Sequence, residues 1–194
     1  MIELDINGKP RTIHPTSMQE LEAEIERPVP RDHGVCRLLV NGREIEPRQL
    51  AEYDLASVRK VRVESAPLAS IARDAVGETS DWIRRICGVL HSVAEDYRFG
   101  REVDANGRLA SVIDALQVLV HLLGGIHAHA PIAAEQRASF GKSWQDAEAE
   151  LRLAIDRIGR GLEAHDTVGL ADLTGYALPR CLGSFGTLLE QVRP

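Results

Sequence analysis

The sequence predicts an α+β protein in two parts: a small strand-rich domain over residues 1–64, then an all-α antiparallel four-helix bundle over residues 67–194. Three observations predict it. Short runs before residue 64 alternate apolar and polar side chains, the period of half-buried strands. Asn-Gly pairs at Asn7-Gly8 and Asn41-Gly42 punctuate those runs, and this pair suits the two positive-φ positions of a tight hairpin. From Ala66 onward the apolar spacing changes to threes and fours, the period of amphipathic helices.

In the first part, Ile2, Leu4 and Ile6 alternate with Glu3 and Asp5 in a strand over Met1–Ile6. Lys9–Ile13 returns after the turn, and Pro10, which cannot donate to a ladder, places it at an edge or a bulge. Thr16 or Ser17 offers an N-cap for a short helix, Met18–Ile25, striped by Met18, Leu21 and Ile25 and stopped by Pro28 and Pro30. Val35–Val40 is a β-prone run, Arg43–Ile45 returns after the second Asn-Gly, and Val58–Val63 closes the set.

Strand, strand, helix, strand, short strand, strand is the order of a β-grasp. Arg37–Ile45 (RLLVNGREI), followed by Leu50-Ala51-Glu52-Tyr53-Asp54-Leu55, resembles the second half of ubiquitin. Shared features are the Arg-Leu strand entry, the turn glycine and the Leu-x-x-Tyr-x-apolar corner. The resemblance implies a ubiquitin-like β-grasp fold over residues 1–64 and carries no activity with it. Ubiquitin and its sulfur-carrier relatives act through a free C-terminal Gly-Gly. Here Glu64-Ser65-Ala66-Pro67 stands at that point and the chain continues to Pro194, so conjugation and sulfur transfer are not expected. By the same alignment Leu39 keeps the centre of ubiquitin's apolar partner patch, whereas Arg62 and Glu64 fall where the last strand would complete it.

In the second part, Ser65 and Pro67 read as a helix opening. Ile83, Ile86, Leu90, Val93 and Tyr97 stripe the first helix, which Gly100 ends. A loop over Asp104–Gly107 precedes a second helix from Arg108, so uniformly apolar that it is either the most buried helix or an oligomer interface. Gly124-Gly125 weakens its end, and Pro131 opens the third helix. There Phe140, Trp144, Ala147, Leu151, Ile155, Ile158 and Leu162 form a seam, with Glu148/Arg152 and Asp156/Arg160 as i,i+4 pairs on the wet side. Asp166-Thr167 caps a fourth helix, kinked at Pro179.

Composition excludes several functions. The net charge is −6, from 23 basic and 29 acidic residues, and neither half is basic, so no footprint for a nucleic-acid backbone is present. No apolar run is expected to reach the ~18 residues of a membrane helix, and the polar start MIELDINGK predicts no signal peptide. Cys36, Cys87 and Cys181 are an odd, widely spaced set, which points to a reducing, cytoplasmic compartment rather than disulfides or zinc.

Candidate chemistry is sparse. Gly141-Lys142-Ser143 matches the end of a phosphate-binding loop but lacks the earlier glycine and the strand that motif needs, Gln136 standing in the glycine's place. His121, His127 and His129, with His91, form the densest histidine group, yet six residues is no same-face helical spacing. Asp114 interrupts an apolar helix and is expected to be buried with an arginine partner; Glu95 and Asp96 are further acidic candidates. Asp166–Leu182 resembles an Asp-x-Val-x-Leu-Ala-Asp-Leu-x-x-Tyr-x-Leu-Pro pattern of uncharacterised bacterial helical proteins, with Gly169 and Gly175 for close helix approach. Tight helix packing with a kink is the first expectation there, and a recognition groove for a partner segment is the alternative.

These observations predict a non-catalytic protein-interaction or adaptor protein. Leu39, Arg62, Asp172, Tyr176 and Pro179 are the candidate partner-binding residues. No catalytic set, metal or cofactor is expected, and the partner is another protein or a second copy bound through the apolar second helix of the bundle. The alternatives are an enzyme or small-ligand binder with a site in the bundle or between domains, and a secretion or filament-assembly chaperone.

Overall fold

A computed structural model describes residues 1–192 of the chain. The chain divides into two compact units, Met1–Ile71 and a second starting at Ala72.

The first unit is a five-stranded mixed sheet: β1 (Ile2–Ile6), β2 (Lys9–Ile13), β3 (His33–Val40), β4 (Arg43–Ile45) and β5 (Lys60–Pro67), with helix α1 (Met18–Glu26) between β2 and β3. The order across the sheet is β2-β1-β5-β3-β4. β1 runs parallel to β5, and the other neighbours are antiparallel. Ile2, Leu4, Ile6, Leu38, Val40, Val61 and Val63 form the buried face, covered by Leu21 and Ile25 of α1. β2 holds Pro10 at the sheet edge, where its missing N–H costs no ladder bond.

Both Asn-Gly pairs form the expected turns, with φ of +53° and +79° at Asn7-Gly8 and +51° and +85° at Asn41-Gly42. Each asparagine also grips β5. The Asn7 carboxamide accepts from the Ser65 backbone N–H (2.8 Å) and donates to its hydroxyl (2.9 Å). The Asn41 side chain accepts from the N–H groups of Arg59 and Lys60 (2.8 and 3.0 Å) and donates to the Ser57 carbonyl. Ser65 is therefore a strand residue rather than a helix cap, and β5 runs through to Pro67, opposite His33 of a longer β3. The Leu50–Leu55 corner is built of tight 3₁₀ turns that bury Leu50. Ser17 is the cap of α1, its hydroxyl accepting from Glu20 N–H at 3.2 Å. The Thr16 N–H, and then its hydroxyl, donate to the Glu20 carboxylate and hold its pKa below the ordinary 4.5, so this contact stabilises above that value and fades as pH falls through the lower folded pKa.

The remaining elements are helices: α2 (Leu68–Arg98), α3 (Glu102–His129), α4 (Arg137–Glu163), α5 (Thr167–Asp172) and α6 (Leu178–Glu190), the last two joined by a wide π turn at Leu173–Ala177. The expected fourth helix is thus two helices. Pro179 sits in the first turn of α6, and the Leu178 N–H bonds back five residues to Leu173, so the wide turn absorbs the irregularity expected as a kink. The expected loop Asp104–Gly107 lies inside α3; the connection is instead Phe99–Arg101, with Gly100 at φ +70°. Gly124-Gly125 stays helical to His129. Pro131 ends α3 rather than opening α4, because its ring pushes Ala130 out of the helical region (ψ 132°). The buried stripes of α2, α3, α4 and α6 share one core, centred on Leu90, Leu119, Trp144, Phe185 and Leu189.

Candidate functional site

α3 has its inward face set by Leu109, Val112, Leu116, Leu119, Leu123 and Ile126, spaced at threes and fours and all buried. The rest of its surface is unusual. Between residues 109 and 134 the only formally charged residue is Asp114, and Val118, Val120 and Leu122 are exposed. An 18-residue window of α3 averages a mean hydropathy of 1.8 with a third of it buried, so by length and composition this helix could cross a membrane. That differs from the expectation that no apolar stretch reaches this length, because Ser111, Asp114, Gln117 and His121 interrupt the run without lowering its average much. The buried stripe is that of a core helix.

α4 presents the facing wall. Phe140, Trp144, Ala147, Leu151 and Ile158 are buried as the seam predicts, but Ile155 is 38% exposed and Leu153 55%. Between the two helices runs an apolar groove of about 450 Å³, walled by Ile113, Val120, Ile155 and Gly159 and floored by Leu178 of α6. It continues past Val120 and Ile155 into a second hollow of about 290 Å³ that ends at Phe185. His121 lines the groove; its Nδ1 donates to the Gln117 carbonyl at 2.7 Å, and its Nε2 has no partner among the described residues. Glu148 and Arg152 stand at the rim of the second hollow. The expected i,i+4 pairs of α4 do not form: Glu148 accepts instead from the Trp144 indole N–H at 2.9 Å. The ion pairs among the described residues lie on other elements.

None of the five sequence-predicted partner residues lines this groove. Leu39 is half-buried on the outer face of the sheet, opposite Arg62 on β5 and Glu44 on β4. Arg62 pairs with Glu64 at 3.2 Å and Arg37 with Glu44 at 2.9 Å, so Leu39 is ringed by charge. Asp172 and Tyr176 are exposed and Pro179 half-buried along one side of the α5–α6 segment. Arg98 of α2 lies 5.4 Å over the Tyr176 ring. Gly175 admits Ala94 and Arg98 of α2, as a close approach requires, whereas the space at Gly169 is taken by its own cap, Asp166.

The other candidates disperse. Asp114 is exposed, not buried. The buried acid is Asp96, in the last turn of α2, paired with Arg101 at 2.7 Å and Arg108 at 2.6 Å. Glu95 is exposed beside His91. His127 stacks on Trp144 with ring centroids 4.7 Å apart and planes 9° from parallel, away from His121 and His129. No group of three or more His, Cys, Asp or Glu side chains able to hold a metal ion occurs among the described residues. Gly141-Lys142-Ser143 lies within α4.

Burial raises the thiol pKa of Cys87 and of Cys181, whereas Cys36 is exposed on β3. A thiol reagent at pH 8 is expected to label Cys36 quickly, the half-buried Cys87 more slowly, and Cys181 only on unfolding. Peptide mapping after a short labelling pulse checks this; equal labelling of Cys181 would show that the core opens readily.

The signal for the groove was present in the sequence as the missing polar face of α3. Its far wall was not, because Ile155 reads as one more seam residue. No family model matches the chain, and no curated protein or solved structure matches it.

Proposed function

We propose that this chain is a non-catalytic protein-interaction protein, in which a ubiquitin-like β-grasp module is joined to a helical bundle that holds a polypeptide in the α3–α4 groove. The observation that carries the reading is the uncovered apolar surface around Val120 (46% exposed) and Ile155. Contiguous exposed apolar surface of this kind marks docking sites, since leaving it in water forfeits roughly 25 cal/mol per Å². The strand order β2-β1-β5-β3-β4, with α1 between β2 and β3, supports the β-grasp reading of residues 1–64. The charge around Leu39 weighs against a ubiquitin-type apolar patch, so the helical unit is the binding part.

A second reading is favoured by the groove's size: about 450 Å³ falls in the range of small-ligand pockets, and its walls suit an apolar molecule. A photoreactive benzoylphenylalanine placed at position 120 of the full chain, irradiated in the cells that make it, separates the two. The protein-interaction reading expects an adduct of polypeptide mass at Val120 and none at Asp81, an exposed position on α2. A small-molecule adduct would favour ligand binding. No adduct at Val120 would overturn both.

A further inference from the structure

The rim of the groove indicates what covers it. Along the exposed side of α4 run Glu148, Arg152, Asp156 and Arg160, spaced by four residues and alternating in sign. At 100° per residue this row passes between exposed Ile155 on one side and exposed Leu153 on the other. None of the four makes an ion pair within the described residues; Glu148 accepts a hydrogen bond from the Trp144 indole N–H at 2.9 Å, and no opposite charge on this chain pairs with it there. Gly159 beside it would meet nothing within 4 Å if given a Cβ, so no contact within the chain requires a glycine there. A mid-helix glycine is nevertheless less favourable than alanine.

We infer that the occupant of this face is a second copy of the same chain, with the two α4 helices antiparallel; the inference rests on the protein-interaction reading above. The row is self-complementary in one direction only. Turned about an axis level with Ala154, Glu148 meets Arg160 of the other copy and Arg152 meets Asp156, and each pairing occurs twice. A parallel in-register arrangement sets like charge against like. Exposed ion pairs contribute little affinity and chiefly fix orientation and register. The association energy comes from covering Val120 and Ile155, and the nearly chargeless outer side of α3 adds no repulsion.

Sedimentation velocity on the full chain, from about 1 to 100 µM, is the test. The wild type is expected to reach dimer mass in that range. Arg152→Asp sets aspartate against Asp156 twice, and Asp156→Arg sets arginine against Arg152 twice; each is expected to weaken dimerisation at least about tenfold. Mixing the two variants restores opposite charges at both contacts and is expected to give a heterodimer, as is the double swap Arg152→Asp/Asp156→Arg to give a homodimer. A wild type that stays monomeric, or a mixture that does not associate, overturns the inference. The groove reading falls separately: a monomeric chain whose position-120 probe captures a different polypeptide overturns self-association while leaving the docking site in place.

Discussion

Trp144→Ala is expected to destabilise the helical unit by about 3–5 kcal/mol, the largest loss from truncating one side chain in this protein. Trp144 is fully buried (0% exposed). It joins three helices: the ring stacks on His127 of α3, lies 5.5 Å from Phe140 of α4, and makes a T-shaped pair with Phe185 of α6 at 5.3 Å. With only 4% aromatic residues in the chain, few other side chains could fill the space. The indole N–H would leave the exposed Glu148 carboxylate to water, a small loss beside the cavity. Against a typical total of 5–15 kcal/mol, the variant stands close to unfolding and its melting point falls by roughly 10–20 °C. Trp144→Phe keeps most of the volume and is expected to cost less than half as much. Urea titrations followed by circular dichroism measure both. A loss below about 1 kcal/mol for the alanine variant would mean that α3, α4 and α6 do not share a close-packed core.

How much of this was legible in the sequence depended on whether a signal was local. The hairpins were, because Asn7-Gly8 and Asn41-Gly42 combine turn chemistry with flanking alternation, and both adopt positive φ. The same dipeptide at Asn106-Gly107 misleads. There Ala105, Leu109 and Val112 keep the helical period on either side, and the Asn106 carboxamide oxygen accepts from the Tyr97 hydroxyl at 2.5 Å, which offsets its weak helix propensity. Ser65 looked like a cap from its neighbours and is held in β5 by Asn7, 58 residues away. The candidate site suffered from the same limit. Periodicity marks Leu116 and Val120 alike as apolar positions of one helix, but only the placement of α4 and α6 decides that Leu116 is buried and Val120 is not. Likewise Asp114 stood out by contrast with its own helix, while Asp96 acquires its partners only when α3 turns back beside α2.

That turn supplies the second large effect. Asp96 is buried in the last turn of α2, where a carboxylate is disfavoured by the helix dipole as well as by desolvation. It is retained because Arg101 Nε donates to one oxygen at 2.8 Å and Arg108 donates to the other at 2.6 Å. The Arg101 N–H also bonds the Asp96 carbonyl at 2.8 Å, so one residue fixes the angle at which α3 leaves and shows its apolar side. Removing both guanidinium groups, as Arg101→Met/Arg108→Met, leaves a buried carboxylate with no cation and is expected to cost about 3–5 kcal/mol. Arg108→Met alone should cost less, since Arg101 still holds one oxygen. Adding Asp96→Leu to the double variant removes the orphaned charge and is expected to recover most of the loss, because an apolar replacement of a whole buried ionic group is commonly near neutral. The comparison separates two accounts of the cluster. If the triple variant is as unstable as the double, the arginines act by packing their stems around the turn rather than by neutralising Asp96. If it recovers, as expected, the charges matter to stability only as a set, and the cluster acts as a structural clasp on the α2–α3 turn.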